Sequence, residues 1–249
     1  MLLQLQNVTF GFSPEKQLFK NLSFDVEKGK IYAMMGANGS GKTTLFNLIS
    51  GFHRLHSGNI VFKQQNITHT EPYLINRTGI GRTFQDLRSI SKLRVKENVL
   101  LAMRDNPTDN WLYALMPASV FKKDLQHLEN KADKILADYF LQDVKDSLGH
   151  EISFGQQKLL NLACCVANET ELLLLDEPVA GISTHNLEQI TLLIKRLQQQ
   201  GKTILMIEHN TDFIDVAGEC FLFLDGGILT QFDTFAQLQD SRQAADGYF

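Results

Sequence analysis

Eight residues between positions 36 and 43 constrain the fold of this chain more than any other segment. They read Gly-Ala-Asn-Gly-Ser-Gly-Lys-Thr and match G-x-x-x-x-G-K-[ST], the pattern of loops that cradle nucleoside triphosphates. Such a loop joins a strand to a helix, so that backbone N–H groups and the helix dipole converge on the phosphates. The apolar run 31–35 before it and the segment 43–50 after it fit those two elements. The motif therefore predicts a strand–loop–helix unit that binds ATP or GTP.

Each position of this loop has an expected part in holding the nucleotide. The backbone that surrounds the phosphates is expected to come from Gly36, Ala37, Asn38, Gly39, Ser40 and Gly41. We expect Lys42 to reach the β- and γ-phosphates, and the hydroxyl of Thr43 to ligate Mg²⁺. Thr44 completes the nucleotide-binding set, although packing inside the helix is the favoured role for this side chain.

Composition places the chain among ordinary globular proteins, with 43% hydrophobic and 21% charged residues. The longest apolar runs fall far short of the ~18 residues that a membrane helix needs. No basic leader precedes an apolar core near position 1, so we expect a cytoplasmic location. A net charge of −4 argues against a nucleic-acid partner. The three cysteines, Cys164, Cys165 and Cys220, have neither metal-ligand nor disulfide spacing. Cys164 and Cys165 are adjacent within an expected helix, where buried packing is favoured over a redox role.

The alternation of short β-like runs with helical stretches predicts an α/β fold with a mostly parallel core sheet. The expected strands are 3–10, 30–35, 59–62, 171–175, 203–207 and 220–224. The clearest helix is expected over 186–200, where apolar residues recur on one face and Gly201 follows. Between 95 and 166 the period is helical, which predicts a helical insertion in the α/β core. Its segment 111–116, which contains Trp111, is either an internal anchor or an exposed docking patch.

A second half of the site is expected where four leucines, 172–175, are followed by Asp176 and Glu177. This pattern predicts a buried strand that presents carboxylates at its carboxyl end, the edge where open α/β sheets bind ligands. Asp176 is the candidate Mg²⁺ ligand. Glu177 is the candidate general base that polarises water for attack on the γ-phosphate. Strands often end in a solvated acid, so the prediction depends on the phosphate loop being present as well.

Two further polar residues follow apolar runs and fit the same site. Gln85 can offer its amide oxygen to Mg²⁺ and its NH₂ group to water, and His209 can donate to the γ-phosphate. Either residue alone would more often be structural. Together with Lys42 and Glu177 they complete the predicted catalytic set.

A further motif settles the class by resemblance. Residues 152–157 read Ile-Ser-Phe-Gly-Gln-Gln and resemble the L-S-G-G-Q signature of ABC-type ATPases. The phosphate loop, Gln85, this signature, the acid pair and His209 occur in the order typical of that family. The resemblance implies one ABC ATPase domain over 1–249, with an antiparallel β region at its N-terminal end. Residues 1–94 and 166–249 would form the RecA-like core, and 95–165 the helical subdomain with the signature.

The resemblance also implies a head-to-tail dimer of two ATPase subunits, identical or related, with each ATP between one phosphate loop and the opposite signature. Ser153, Gly155 and Gln156 would form the second anion-binding surface, near a helix expected to begin at about Gln156. Phe12 stands where an aromatic side chain usually stacks on adenine, and Phe10 is its rival; either could be a core residue.

Finer features resemble the ATP-binding subunits of branched-chain amino acid and urea importers. They are the segments 79–85 and 95–100, the aromatic residue in the signature, and Ala180-Gly181 after the acid pair. This implies partners: membrane permease subunits that hold the chain at the inner face of the membrane, and a solute-binding protein. The alternative is a soluble ABC ATPase that serves an assembly, division or lipid-traffic complex. A catalytically silent regulatory module would require loss of Lys42 or the acid pair, and all three residues are present.

Two positions depart from the family pattern. Ser183 stands where ABC proteins generally carry Asp and this subgroup often carries Asn, and Cys164 stands where Arg is common. Neither change removes a group expected to touch the phosphates, so we expect activity to survive. Communication between the two ATP sites is the property that these changes put in question.

Overall fold

Two β-sheets and the helices packed around them form the architecture. The structure is a computed structural model that describes residues 1–13, 16–83, 90–104 and 118–241. The strands are β1 Leu3–Ser13, β2 Lys16–Val26, β3 Ile31–Met35, β4 Ser57–Phe62, β5 Gln65–Asn66, β6 Ile80–Arg82, β7 Leu172–Asp176, β8 Thr203–Ile207, β9 Cys220–Asp225 and β10 Ile228–Phe232. The helices are α1 Lys42–Ile49, α2 Pro72–Thr78, α3 Val95–Ala102, α4 Ala118–Asp138, α5 Phe154–Ala167, α6 Thr184–Gln199, α7 Thr211–Ala217 and α8 Phe235–Asp240.

The larger sheet has six strands in the order β10-β9-β3-β8-β7-β6. The pairs β9–β3, β3–β8, β8–β7 and β7–β6 are parallel, and only the edge strand β10 runs antiparallel. Every residue of β3, β7 and β8 is buried, as expected of central strands covered on both faces. The predicted α/β fold with a mostly parallel core is confirmed.

Alternate side chains of this sheet enter two separate hydrophobic clusters. Ile31, Ala33 and Met35 belong to the cluster that includes helices α3 to α8, whereas Tyr32 and Met34 face the cluster of α1 and the second sheet. The helices of the predicted insertion therefore share one continuous core with the strands. The subdomain boundaries at 95 and 165 remain a prediction, and the described helix α5 runs across the second of them.

The smaller sheet is antiparallel, in the order β2-β1-β4-β5, and it is the predicted N-terminal β region. β1 continues to Ser13, three residues beyond its expected end at Phe10. β2 escaped prediction because its pattern is irregular: Asn21 has a φ of 55°, Asn7 on the paired strand has a φ of 51°, and the register shifts between them. The short strands β5 and β6 and the edge strand β10 were missed as well.

Two predicted helix starts needed correction. The helix expected over 186–200 begins earlier, at Thr184, with Ser183 as its N-cap, and ends at Gln199. The signature helix α5 begins at Phe154 rather than near Gln156, because Ser153 caps it: its hydroxyl accepts a hydrogen bond from the Gln156 N–H at 3.3 Å. The segment 111–116 lies outside the described residues. Among the helices that the structure describes, none combines the length and apolar character needed to cross a bilayer.

The central strand β8 offers a test of this architecture. Replacing the fully buried Leu205 by Ala should lower the free energy of unfolding by about 2–5 kcal/mol, because the close-packed core cannot fill the cavity. Leu192→Ala on the outer face of α6, where the leucine is 59% exposed, should change it by only about 0.5 kcal/mol. Urea denaturation of both variants is the measurement. Equal losses would contradict the assignment of β8 to the core.

Candidate active site

The phosphate loop leaves the end of β3 and enters α1. Gly36 has a φ of 145°, and a Cβ there would overlap the carbonyl oxygen of Leu224 on β9, so no larger residue fits. Gly41 is the N-cap of α1, with a φ of 106° and no side chain to bond the first helical N–H groups. These groups are consequently available to an anion at the positive end of the helix dipole.

Lys42, at the start of α1, folds its side chain back over the loop. The residue is 7% exposed, and its Nζ donates hydrogen bonds to the carbonyl oxygens of Gly36 at 2.6 Å and Ala37 at 2.9 Å. Burial lowers the pKa of Lys42, and the nearby charges of Glu177 and Asp176 act in the opposite direction. The ammonium group is thus held inside the loop, close to the acid pair.

The phosphate loop contains one buried polar group that could bind a polar ligand. The hydroxyl oxygen of Ser40 is buried and has no hydrogen-bond partner among the described residues. A buried hydroxyl without a partner is uncommon, and a phosphate oxygen would satisfy it. Thr43 is exposed and open to a metal or nucleotide, whereas Thr44 is half-buried within α1.

Asp176 ends β7 and lies at the edge where the loop begins. It is 3% exposed, and its backbone N–H donates to the hydroxyl of Thr83 at 3.1 Å. Burial raises the pKa of Asp176, and the positive charge of Arg82 opposes that rise. Within the described residues no group of three or more His, Cys, Asp and Glu side chains could hold a metal. Mg²⁺ bound through substrate phosphates needs only one or two protein ligands, and Thr43 with Asp176 provides suitable oxygens.

Glu177 and His209 lie beside each other at this edge. The Nε2 atom of His209 is 3.8 Å from Oε1 of Glu177, with side-chain exposures of 42% and 25%. Burial, and then the charge of Lys42, lower the pKa of His209. The imidazole is therefore largely neutral at pH 7 and carries one N–H donor. The structure brings four of the predicted residues together: Lys42, Asp176, Glu177 and His209.

The remaining predicted residues lie on other elements or outside the described part of the chain. Ser153 and Gln156 form a capping box in which Gln156 Oε1 accepts from the Ser153 N–H at 2.9 Å. Phe12, 73% exposed, packs edge-on against Phe10, with ring centroids 5.2 Å apart. Phe10 is 6% exposed, which makes it the core residue of the two. Gln85 falls outside the described residues.

Arg82 is a residue of this site to which no sequence motif assigns a role. It ends β6, and its guanidinium donates to Asn47 Oδ1 at 2.7 Å and Ser50 Oγ at 3.0 Å on α1. The same group pairs with Asp176 at 3.5 Å, with both side chains at most 5% exposed. Arg82 thus ties the candidate metal ligand to the helix that follows the phosphate loop. It lies within the segment 79–85 of the sequence, where no local pattern marks a residue as buried.

Two more buried charged residues, Glu208 and Lys158, support the acid pair, and no local sequence pattern predicts their role. Glu208 accepts hydrogen bonds from the backbone N–H of Val179 at 2.8 Å and of His209 at 3.0 Å, and burial raises its pKa. It therefore joins the loop after Glu177 to the loop after β8. Lys158, in α5, donates to the carbonyl oxygen of Glu177 at 2.8 Å.

Comparison with known proteins shows which family this chain resembles. The sequence profile described as "ABC transporter" matches residues 19–180. The probable branched-chain amino acid transport ATP-binding protein LivG of Archaeoglobus fulgidus is 32% identical over 238 residues, covering 92% of this chain and 88% of the relative. The high-affinity branched-chain amino acid transport ATP-binding protein BraF of Pseudomonas aeruginosa is 27% identical, covering 99% and 97%. A crystal structure of a nucleotide-free ATP-binding cassette from an ABC transporter superposes with a TM-score of 0.84 at 28% identity, covering 100% of this chain and 98% of that one.

The buried pair of Arg82 and Asp176 provides a test of how the site is held together. Arg82→Met should lower the free energy of unfolding by about 3–5 kcal/mol, because it leaves a buried carboxylate without its cation. Arg196→Met is the control, since the pair of Arg196 with Asp138 is 48% and 35% exposed and should be worth at most about 1 kcal/mol. Urea denaturation compares the two variants. Similar losses would show that Arg82 does not support Asp176.

Proposed function

The chain belongs to the ABC transporter family, and from this premise we propose that it is the ATP-hydrolysing subunit that energises import of branched-chain amino acids. A related small polar solute would serve the same scheme. Separate membrane permease subunits would carry the solute. The observation that carries the proposal is the meeting of Lys42, Asp176, Glu177 and His209 at one sheet edge, in a chain similar to such subunits along nearly its whole length.

We assign the phosphate loop, residues 36 to 43, to the binding of ATP. Lys42 would exchange its two loop carbonyls for phosphate oxygens, and the first N–H groups of α1 would donate to the same anion. Thr43 and Asp176, with Gln85, would hold Mg²⁺, which supplies positive charge to the phosphate oxygens. The exposed ring of Phe12 would stack on adenine, since the buried Phe10 supports it from behind.

Hydrolysis would use the side chains next to this loop. Glu177 accepts a proton from the attacking water and orients it toward the γ-phosphorus. The lowered pKa of His209 favours the neutral imidazole, which has one N–H donor and one accepting nitrogen. His209 presents that N–H to the γ-phosphate. Lys42 stabilises the charge that spreads over the transferring phosphoryl group.

The functional unit in this proposal is a pair of ATPase subunits. Ser153, Gly155 and Gln156 of one subunit would bind the ATP held by the phosphate loop of the other. The N-terminus of α5, where these residues lie, suits an anion for the same reason as that of α1. Closure on two ATP molecules and reopening after hydrolysis would drive the permeases, with the chain at the inner face of the membrane and a solute-binding protein completing the system.

Removal of the general base is the direct test of the hydrolytic part. Glu177→Gln should lower the rate of ATP hydrolysis by about 10²–10⁴-fold, because the amide cannot accept the proton. ATP affinity should remain, and the variant should accumulate as a closed dimer with ATP. Glu188→Gln, an exposed position on α6, is the matched control. Steady-state hydrolysis, equilibrium binding and size-exclusion chromatography measure the three effects. A Glu177→Gln variant with the wild-type rate would remove this residue from its role.

The import assignment predicts a solute-dependent rate. The chain should co-purify from its native membrane with permease subunits. In vesicles, hydrolysis by that complex should rise when the solute-binding protein and a branched-chain amino acid are added. Lys42→Met should abolish the response. Association with soluble proteins only, or the same rate with and without any small polar solute, would favour a role in an assembly complex instead.

A further inference from the structure

We propose that Lys158 is a positioning residue that holds the backbone of Glu177 in its active conformation and links it to the signature helix. The inference deepens the proposed function, because it rests on Glu177 being the general base. Lys158 belongs to neither the phosphate loop nor the signature itself. Its part would be to act on the reaction through Glu177 alone.

The first observation is a buried cation that points at the acid pair. Lys158 is 8% exposed, and its Nζ donates to the carbonyl oxygen of Glu177 at 2.8 Å. Burial lowers the pKa of this lysine, while the charges of Glu208, Glu177 and Asp176 act to retain the proton. A lysine is seldom buried to this extent unless its ammonium group is satisfied. The hydrogen bond from the Lys158 ammonium group to the Glu177 carbonyl is therefore the contact whose role has to be explained.

The second observation is the conformation of Glu177. Its φ is 49°, in the left-handed region that non-glycine residues rarely occupy and that persists only when surrounding contacts support it. Those contacts are on both sides of the residue. The Glu177 N–H donates to the Ile207 carbonyl at 2.9 Å, and the Glu177 carbonyl accepts from the Ala180 N–H at 3.3 Å as well as from Lys158. Lys158 is the one of these three groups that comes from a helix outside the sheet edge.

The third observation is the position of Lys158 within α5. This helix begins beside Ser153, where the proposed second ATP would bind, and Lys158 lies one turn further on. The centroid of the Phe154 ring lies 5.6 Å from the Lys158 Nζ. The same ring lies beside Gly181 in the loop after Glu177, where a methyl side chain added to the glycine would touch it. A displacement of the start of α5 would therefore be passed to the Glu177 backbone. Through Lys158, the state of one ATP site would set the geometry of the general base in the other.

The test replaces Lys158 by Met, which keeps most of the volume and removes the donor. Because a misplaced catalytic group typically costs about 10²-fold, kcat of the full-length protein should fall by about 10- to 100-fold. KM and the equilibrium affinity for ATP should stay within about twofold, since no contact to the phosphates is lost. Lys158→Leu, which also has no donor, should behave alike and replaces Lys158→Met if that variant does not fold.

Matched variants separate positioning from packing. Lys202 also donates to a backbone carbonyl, that of Thr170 at 2.5 Å, and burial also lowers its pKa, but it lies at the opposite end of β8. Lys202→Met should leave kcat unchanged. Lys158→Arg, which keeps a charged donor, should restore kcat to within about threefold of the wild type. In a Glu177→Gln background, Lys158→Met should add no further loss, because both changes act through the same group.

The outcomes also distinguish this inference from the proposed function. A large loss in Glu177→Gln with a normal kcat in Lys158→Met or Lys158→Leu would overturn the role of Lys158 and leave the general base in place. A wild-type rate in Glu177→Gln would overturn both. Equal losses of kcat in Lys158→Met and Lys202→Met, or additive losses in the double variant, would show that Lys158 only stabilises the fold.

Discussion

The shared register of three parallel strands is the constraint on which the site depends. Ile207 of the central strand β8 is paired with Met34 on β3 and with Asp176 on β7. The three strands consequently end at the same level, with the outer two only about 10 Å apart. The phosphate loop, the acid pair and the segment with His209 all leave the sheet at this edge. A slip of one residue in the pairing of β7 with β8 would turn Asp176 to the opposite face of the sheet.

Several buried charged side chains lie at the same edge of the sheet. Their hydrogen bonds and ion pairs form a network around Glu177. Lys42, Asp176, Lys158 and Glu208 are each at most 8% exposed. Burial of a charge is costly unless hydrogen bonds or opposite charges compensate it, and each of the four has such partners. In return, electrostatic interactions are stronger in a water-poor site than at the surface. The left-handed conformation of Glu177, which costs about 1–2 kcal/mol, is maintained within this network.

The sequence predicted those parts that depend on local patterns. Buried parallel strands read as continuous apolar runs, so the sequence alone predicts that the residues following them lie at one edge of the sheet. Arg82 and Lys158 could not be found in this way, because their partners are 94 and 19 residues away along the chain. Nothing local distinguishes a buried lysine in a helix from an exposed one. The irregular β2 and the early start of α5 were missed for a related reason: a left-handed Asn21 and a capping Ser153 alter the pattern through backbone geometry.

The two departures from the family pattern lie on α5 and at the start of α6, the elements that would join the ATP sites. Burial raises the pKa of the Cys164 thiol to about 12, so the side chain is uncharged and packs against the core of α5. Ser183 is the N-cap of α6 without a side-chain hydrogen bond to it. Neither residue therefore supplies an ionic contact between the signature helix and the acid pair. The Lys158 ammonium group does supply a polar contact from α5 to Glu177. Among the described residues, that contact joins the helix of the signature to the backbone of the proposed general base.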